Sequence, residues 1–184
     1  MSATAPQPLL ENGLPNVSRY ITTHDTNGKA IIAKDVPAES VWQKIGSVAK
    51  FFLGYTTRTF PVAMSEQKDV GSYQKDLTSP PGLTVSTGTV LRYVDMAPNT
   101  ISPMHKTISV DYGVVLEGPV ELVLDSGETK LMHRGDVCVQ RATNHAWRNP
   151  NDFWVRMMYV LISAEKEEGM QEDLGDMEDV KASE

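Results

Sequence analysis

The sequence predicts an all-β fold, an antiparallel sandwich or barrel, and three observations carry that expectation. From Thr84 onward, short β-rich runs recur at 84–96, 105–116, 119–125, 128–133, 136–140 and 153–163, separated by Gly, Pro, Asn or Asp. Earlier, "RYITTHDTNGKAIIAK" places two β-rich runs around Asn27-Gly28, a dipeptide that tolerates the positive φ of a tight hairpin. The third observation is the stretch "PMHKTISVDYGVVLEG", in which side chains alternate between polar and apolar. With a two-residue period, His105, Thr107, Ser109, Asp111 and Gly113 share one face, while Ile108, Val110, Tyr112 and Val114 share the other.

Taken in chain order, residues 1–16 are polar and contain proline, so they are expected to be flexible. A single domain is expected over 17–163. Within it, Val41, Trp42, Ile45, Val48, Ala49, Phe52 and Leu53 recur at helical spacing ahead of Gly54, which predicts a short helix near 39–53 covering one face of a sheet. Trp42, Phe51 and Phe52 are also candidates to line a ligand cavity. Residues 65–82 show no periodicity and end in Pro-Pro-Gly, the pattern of a long surface loop.

Charge is distributed unevenly. The net charge of −7 over 184 residues lies wholly in the last 20, where nine acidic and two basic residues stand, while residues 1–164 balance at 15 of each sign. A neutral body lacks the clustered Lys and Arg that phosphate backbones and anionic lipid require, so neither nucleic acid nor membrane is an expected partner. The tail 164–184 is acidic and free of aromatic residues, and it is expected to be disordered and dispensable. One cysteine, Cys138, forms no internal disulfide; with no apolar run of spanning length and no signal-like start, a cytoplasmic home is expected.

A polar strand face inside a β-fold looks into water or into a cavity that holds metal or substrate. "HRGDVCVQRATNHAWRNP" adds a Gly135-Asp136 turn, the strand "VCVQ" and a loop delivering His145, Trp147 and Asn149. Two histidines and a carboxylate are the ingredients of a 2-His-1-carboxylate site. Trp147 is a candidate to stack on a ligand. Arg58, Arg92 and Arg156 fall within β-rich runs, where a guanidinium must pair with a carboxylate or bind one on a substrate; Arg92 is the candidate chosen. His24, His133 and Cys138 are expected to be structural.

The stretch from Arg92 to Ile162 resembles a cupin domain. That family's first motif has His-x-His, three or four residues, a Glu, six residues and a Gly, and here His105, Thr107, Asp111 and Gly118 stand at those places. Its second motif is a Gly-Asp turn followed by Pro-x-Gly-x-x-His-x-x-x-Asn, matched by Gly135-Asp136, His145 and Asn149. Thr107 replaces one imidazole, Asp111 is a methylene shorter than Glu, and "QRATN" lacks the Pro and Gly. The N-terminal "RYITTHDTNGKAI" is similar to the leading strands of small single-domain cupins.

The resemblance implies a jelly roll with its site in the barrel, and a small-molecule enzyme in which His105, Asp111 and His145 hold a divalent metal (Fe, Mn, Zn or Ni) or act as acid and base. Thr107, Trp147 and Arg92 would contact substrate, and no organic cofactor is expected. The loss of one motif histidine favours a non-oxidative lyase or isomerase reaction such as decarboxylation, dehydration or cyclisation. The alternatives are an iron-dependent dioxygenase and a non-catalytic ligand-binding protein. A homodimer is expected through the even face of 105–116 and the run 153–163.

Overall fold

A computed structural model describes residues 8–177 and 180–181. The chain forms two compact units, one ending at Val41 and one beginning at Trp42. The stretch 17–41, read as the start of the barrel domain, therefore falls in the first unit. There β1 (Thr22–His24) and β2 (Ala30–Ile32) pair antiparallel. The hairpin expected at Asn27-Gly28 is present, and Asp25 organises its loop: one carboxylate oxygen accepts the N–H groups of Asn27 and Lys29 at 2.8 and 2.9 Å. Of the stretch expected to be flexible, residues 1–7 lie outside the described residues. Leu9 and Pro15 bridge around a turn in which Leu10 N–H donates to the Leu14 carbonyl and the Leu10 carbonyl accepts from Gly13 N–H.

The second unit carries β3 (Gln43–Ile45), β4 (Ala49–Thr57), a 3₁₀ turn at Ser65–Gln67 and α1 (Lys68–Thr78). After these come β5 (Thr89–Met96), β6 (Thr100–Ile101), β7 (Ser109–Glu117), β8 (Val120–Leu124), β9 (Thr129–Met132), β10 (Val137–Arg141), β11 (His145–Asn149) and β12 (Val155–Ser163). All strand pairs are antiparallel, in one sheet of order β10-β7-β12-β5-β4-β3 and another of order β6-β11-β8-β9. Met96, Val115, Val155 and Met157 from the first sheet meet Val120, Met132 and Trp147 from the second in one buried cluster. Each side chain of this size stabilises the fold by roughly 1.5–3 kcal/mol when fully buried.

The helix expected near 39–53 is absent; the segment is a β-hairpin that turns at Gly46. Its β4 strand pairs with β5 from Ala49↔Met96 to Thr57↔Thr89, and this long ladder overrides a local helical period. Gly54, read as a helix stop, instead marks a shift in that ladder, and a Cβ on it would sit 3.0 Å from Leu91 Cγ. The helix lies where a loop was expected. α1 presents only a thin apolar stripe, Val70 and Tyr73, and is fastened to β4 by polar contacts: Tyr73 Oη to the Leu53 carbonyl at 2.8 Å, Tyr55 Oη to Asp69 at 2.8 Å, and Thr56 Oγ1 to Asp76 at 2.6 Å.

The acidic tail is also placed differently from expectation. Lys106 and Asp173 exchange backbone N–H···O bonds in both directions, and Leu174, Met177 and Val180 pack on Leu83, Val85, Val90 and Leu161. Three apolar residues spaced three apart supply the burial that the acidic composition conceals. Gly175 permits the approach: its φ is +55°, and a Cβ there would lie 2.5 Å from the Met104 carbonyl oxygen. Among the described residues no helix is long and apolar enough to cross a membrane.

Candidate active site

Between His105 and Ser109 the chain changes sheets. His105 bridges to His145 in the small sheet, and β7 then runs from Ser109 in the large one. Both segments keep the same parity, so His105, Thr107, Ser109, Asp111 and Gly113 all lie buried, while Tyr112 is exposed. The odd face therefore points inward, as its polarity predicts. It opens on a cavity of about 370 Å³ that His105, Asp111, His145, Trp147 and Arg92 all line.

Backbone N–H···O bonds of 2.8 and 2.9 Å join His105 and His145 reciprocally, and their ring centroids lie 4.3 Å apart. Each Nδ1 sits 2.9 Å from a backbone carbonyl, that of Pro103 for His105 and that of Thr143 for His145. A carbonyl only accepts, so both Nδ1 atoms carry the proton and both Nε2 atoms keep a lone pair. Burial lowers the pKa of both rings. His145 falls to about 4, because desolvation is reinforced by the neighbouring His105. At neutral pH the pair is uncharged.

Asp111 moves the opposite way. Burial raises its pKa to about 6, although Ser109 and Thr107 hydroxyls oppose the rise by bonding the ionised form. Ser109 Oγ donates to Asp111 Oδ1 at 2.6 Å, Thr107 Oγ1 lies 2.8 Å from Ser109 Oγ, and its approach to Asp111 Oδ2 is longer at 3.4 Å. With one proton per hydroxyl, the short contacts form a chain from Thr107 through Ser109 to the carboxylate. Thr107, expected to touch substrate, is not among the cavity-lining residues; it supports Asp111 instead.

Trp147 is held by its backbone N–H to Ser102 Oγ at 3.0 Å and meets His145 and Tyr159 edge-on at 5.8 and 5.7 Å. It serves both the core cluster and the cavity wall. Phe51 lines the cavity, whereas Trp42 and Phe52 pack against each other, with Tyr93 stacked on Phe52 and the Arg156 guanidinium over Trp42. Burial and Asp111 push the Cys138 thiol up, so it stays protonated. His24 and His133 lie outside the cavity lining. Sequence reasoning placed Ser109 on the polar face without giving it a role and did not single out Tyr159; a small hydroxyl two residues before a carboxylate on one strand face was the available signal for the first.

His105, Asp111 and His145 were expected either to hold a divalent metal or to act directly as acid and base. Among the described residues no three His, Cys, Asp or Glu side chains form a group able to hold a metal ion. The donor set explains this: two imidazoles present Nε2, while the carboxylate is turned to hydroxyls and the fourth motif position is a threonine. These residues do not fit a tightly held metal.

Two antiparallel sheets with both histidines bridging across one mouth define the class, and the chain belongs to the cupin-domain family. It is 39% identical over 153 residues to the cupin-domain-containing oxidoreductase virC of Hypocrea virens, covering 82% of this chain and 77% of that one. Phomopsin biosynthesis cluster protein C' of Diaporthe leptostromiformis is 46% identical over 148 residues, 80% of this chain and 78% of its own length. Oryzines biosynthesis cluster protein J of Aspergillus oryzae is 40% identical over 157 residues, 85% and 88% respectively. No family model matches the chain.

Proposed function

We propose that this chain is a small-molecule enzyme that holds its substrate in the barrel cavity and moves a proton there, in a lyase or isomerase-type reaction. The observation that carries this reading is one apolar cavity combining two neutral imidazoles with a carboxyl whose pKa lies at about 6. Asp111 is the acid–base group, since a base works best when its pKa lies near the working pH. The Nε2 atoms of His105 and His145 accept hydrogen bonds from the substrate and fix the reacting atom beside Asp111. Relatives named for phomopsin and oryzines biosynthesis clusters support a substrate from specialised metabolism.

A second reading, oxidoreductase, draws support from relatives named as cupin-domain-containing oxidoreductases, virC of Hypocrea virens among them. Purified protein incubated with candidate metabolites in D₂O, with and without oxygen and chelator, separates the two. Proton transfer predicts deuterated product that depends on Asp111 and not on oxygen or chelator. Turnover lost on removing oxygen or metal favours the second reading. We also propose a homodimer: Tyr112, Val137 and Val139 expose an apolar patch beside the edge strand β10.

A further inference from the structure

Of the three arginines singled out from the sequence, Arg58, Arg92 and Arg156, two find carboxylates. Arg156 grips Asp95 through Nε at 2.6 Å and Nη2 at 2.8 Å, and Arg58 grips Asp76 through Nε at 3.1 Å and Nη2 at 2.5 Å. Arg92 differs. It is 6% exposed, its Nη2 donates to the Gly82 carbonyl at 2.8 Å, and its buried Nε has no acceptor. Its guanidinium lies 5.0 Å from the Phe51 ring centroid, a weak substitute for a counter-ion. Burial alone lowers its pKa, to about 10, with no compensating charge acting on it. Asp111 and Asp176 line the same cavity, yet neither pairs with Arg92 among the described residues.

Leaving a guanidinium buried and unpaired is costly, and a fold built with two neutralised arginines has the means to neutralise a third. We propose that the substrate carries a carboxylate, and that Arg92 binds it at the end of the cavity away from the histidine pair. This rests on the reading of the cavity as a substrate site. Arg92 is the only Lys or Arg among the described lining residues, which suits a single monoanionic group; a phosphate would call on more donors. Phe51, over which the Arg92 guanidinium lies, lines the cavity together with Leu83, Val94 and Leu161, so the carboxylate belongs to an otherwise apolar molecule. On the sheet, β5 and β7 are separated by β12 alone, and Arg92 stands level with Gly113, two residues along β7 from Asp111, so the two start roughly 12 Å apart, given about 4.8 Å between strands and about 3.4 Å per residue along them. A substrate anchored at Arg92 has its reacting centre several bonds from the carboxylate.

The test is calorimetric titration of the full chain with 3-phenylpropanoate and with 3-phenylpropanamide, which share an apolar body and differ in charge. The carboxylate is expected to bind at least about tenfold more tightly, the range for a hydrogen bond to a charged group. Arg92→Met should abolish the preference, and Arg92→Lys should retain part of it. Equal affinities in the wild type, no saturable binding of either probe, or a preference that survives Arg92→Met overturns the proposal; tighter binding of phenyl phosphate overturns the carboxylate assignment. Should Arg92→Met not fold, the wild-type contrast and Arg92→Lys decide. Asp111→Asn is expected to keep the carboxylate preference while losing proton transfer, so this inference and the catalytic reading fail separately.

Discussion

His105 and His145 lock to each other through their backbones at 2.8 and 2.9 Å, and the same pairing sets their rings 4.3 Å apart. Because main-chain atoms make the bridge, either imidazole can be removed while the bridge stays. His105→Ala and His145→Ala are therefore expected to keep the fold by circular dichroism and to lower turnover on the order of 10²-fold, the cost of a misplaced substrate. Wild-type rates in both variants would return the histidines to a purely structural role.

Opposing shifts in one cavity give a distinctive pH dependence of stability. Asp111 holds its proton more tightly folded than unfolded, so its contribution falls as pH rises from about 4 to about 6. His145 holds its proton less tightly folded, and its contribution rises from about 4 to the ordinary imidazole value, with His105 acting in the same sense. The slopes of Asp111 and His145, each at most about 1.4 kcal/mol per pH unit, oppose each other in the wild type between about pH 4 and 6, and His105 adds to the rising side. Denaturant titrations across that window should show stability climbing with pH in Asp111→Asn and declining relative to wild type in His145→Ala. Parallel curves for all three proteins would count against these shifts.

Paired and unpaired arginines are expected to respond oppositely to substitution. Arg156→Met strands the Asp95 carboxylate, which is 0% exposed, and should cost about 3–5 kcal/mol. Arg92→Met strands no carboxylate and should leave stability unchanged or raised, as expected where a residue is kept for binding. Urea unfolding of the two variants checks this; equal losses would mean that Arg92 has a structural partner after all.

Truncation after Ala164 removes the Lys106–Asp173 pairing and uncovers Leu83, Val85 and Leu161. The expected result is a loss of about 1–3 kcal/mol, typical of deleting a few buried contacts, together with weaker ligand binding because Met177 and Val180 line the cavity. A truncated protein that melts and binds like the full chain would show the tail to be dispensable.

In light scattering the protein should have the mass of a dimer of 20.3 kDa chains at micromolar concentration, and Val139→Lys on the exposed edge should shift it to monomer. A monomeric wild type would remove the dimer from the account.

Much of the second half of the fold was legible because its strands obey a two-residue period that burial follows, most clearly in β7. The site residues were legible for the same reason: polarity on an inward face is expensive, so His105 and Asp111 announced the cavity. Trp42 to Leu53 misled because a helical spacing and a strand pattern coexist there, and pairing with β5, invisible locally, decides between them. α1 was hidden because polar bonds to β4 hold it, leaving few apolar residues to mark a period. The tail's docking depends on three apolar side chains among nine acids and on one glycine meeting Met104, a contact 71 residues away in sequence. Thr107 was assigned to substrate because position alone does not say that its nearest neighbour is Ser109.

The central claim is that one cavity holds neutral imidazoles beside a carboxyl poised to exchange a proton, and side-chain NMR titration of the full chain measures it directly. Nitrogen shifts should report His105 and His145 as neutral Nδ1–H tautomers at pH 7, with His145 titrating near pH 4, while the Asp111 carboxyl carbon should titrate near pH 6. An Asp111 midpoint at the ordinary carboxylate value, with both histidines titrating like free imidazole, would contradict it.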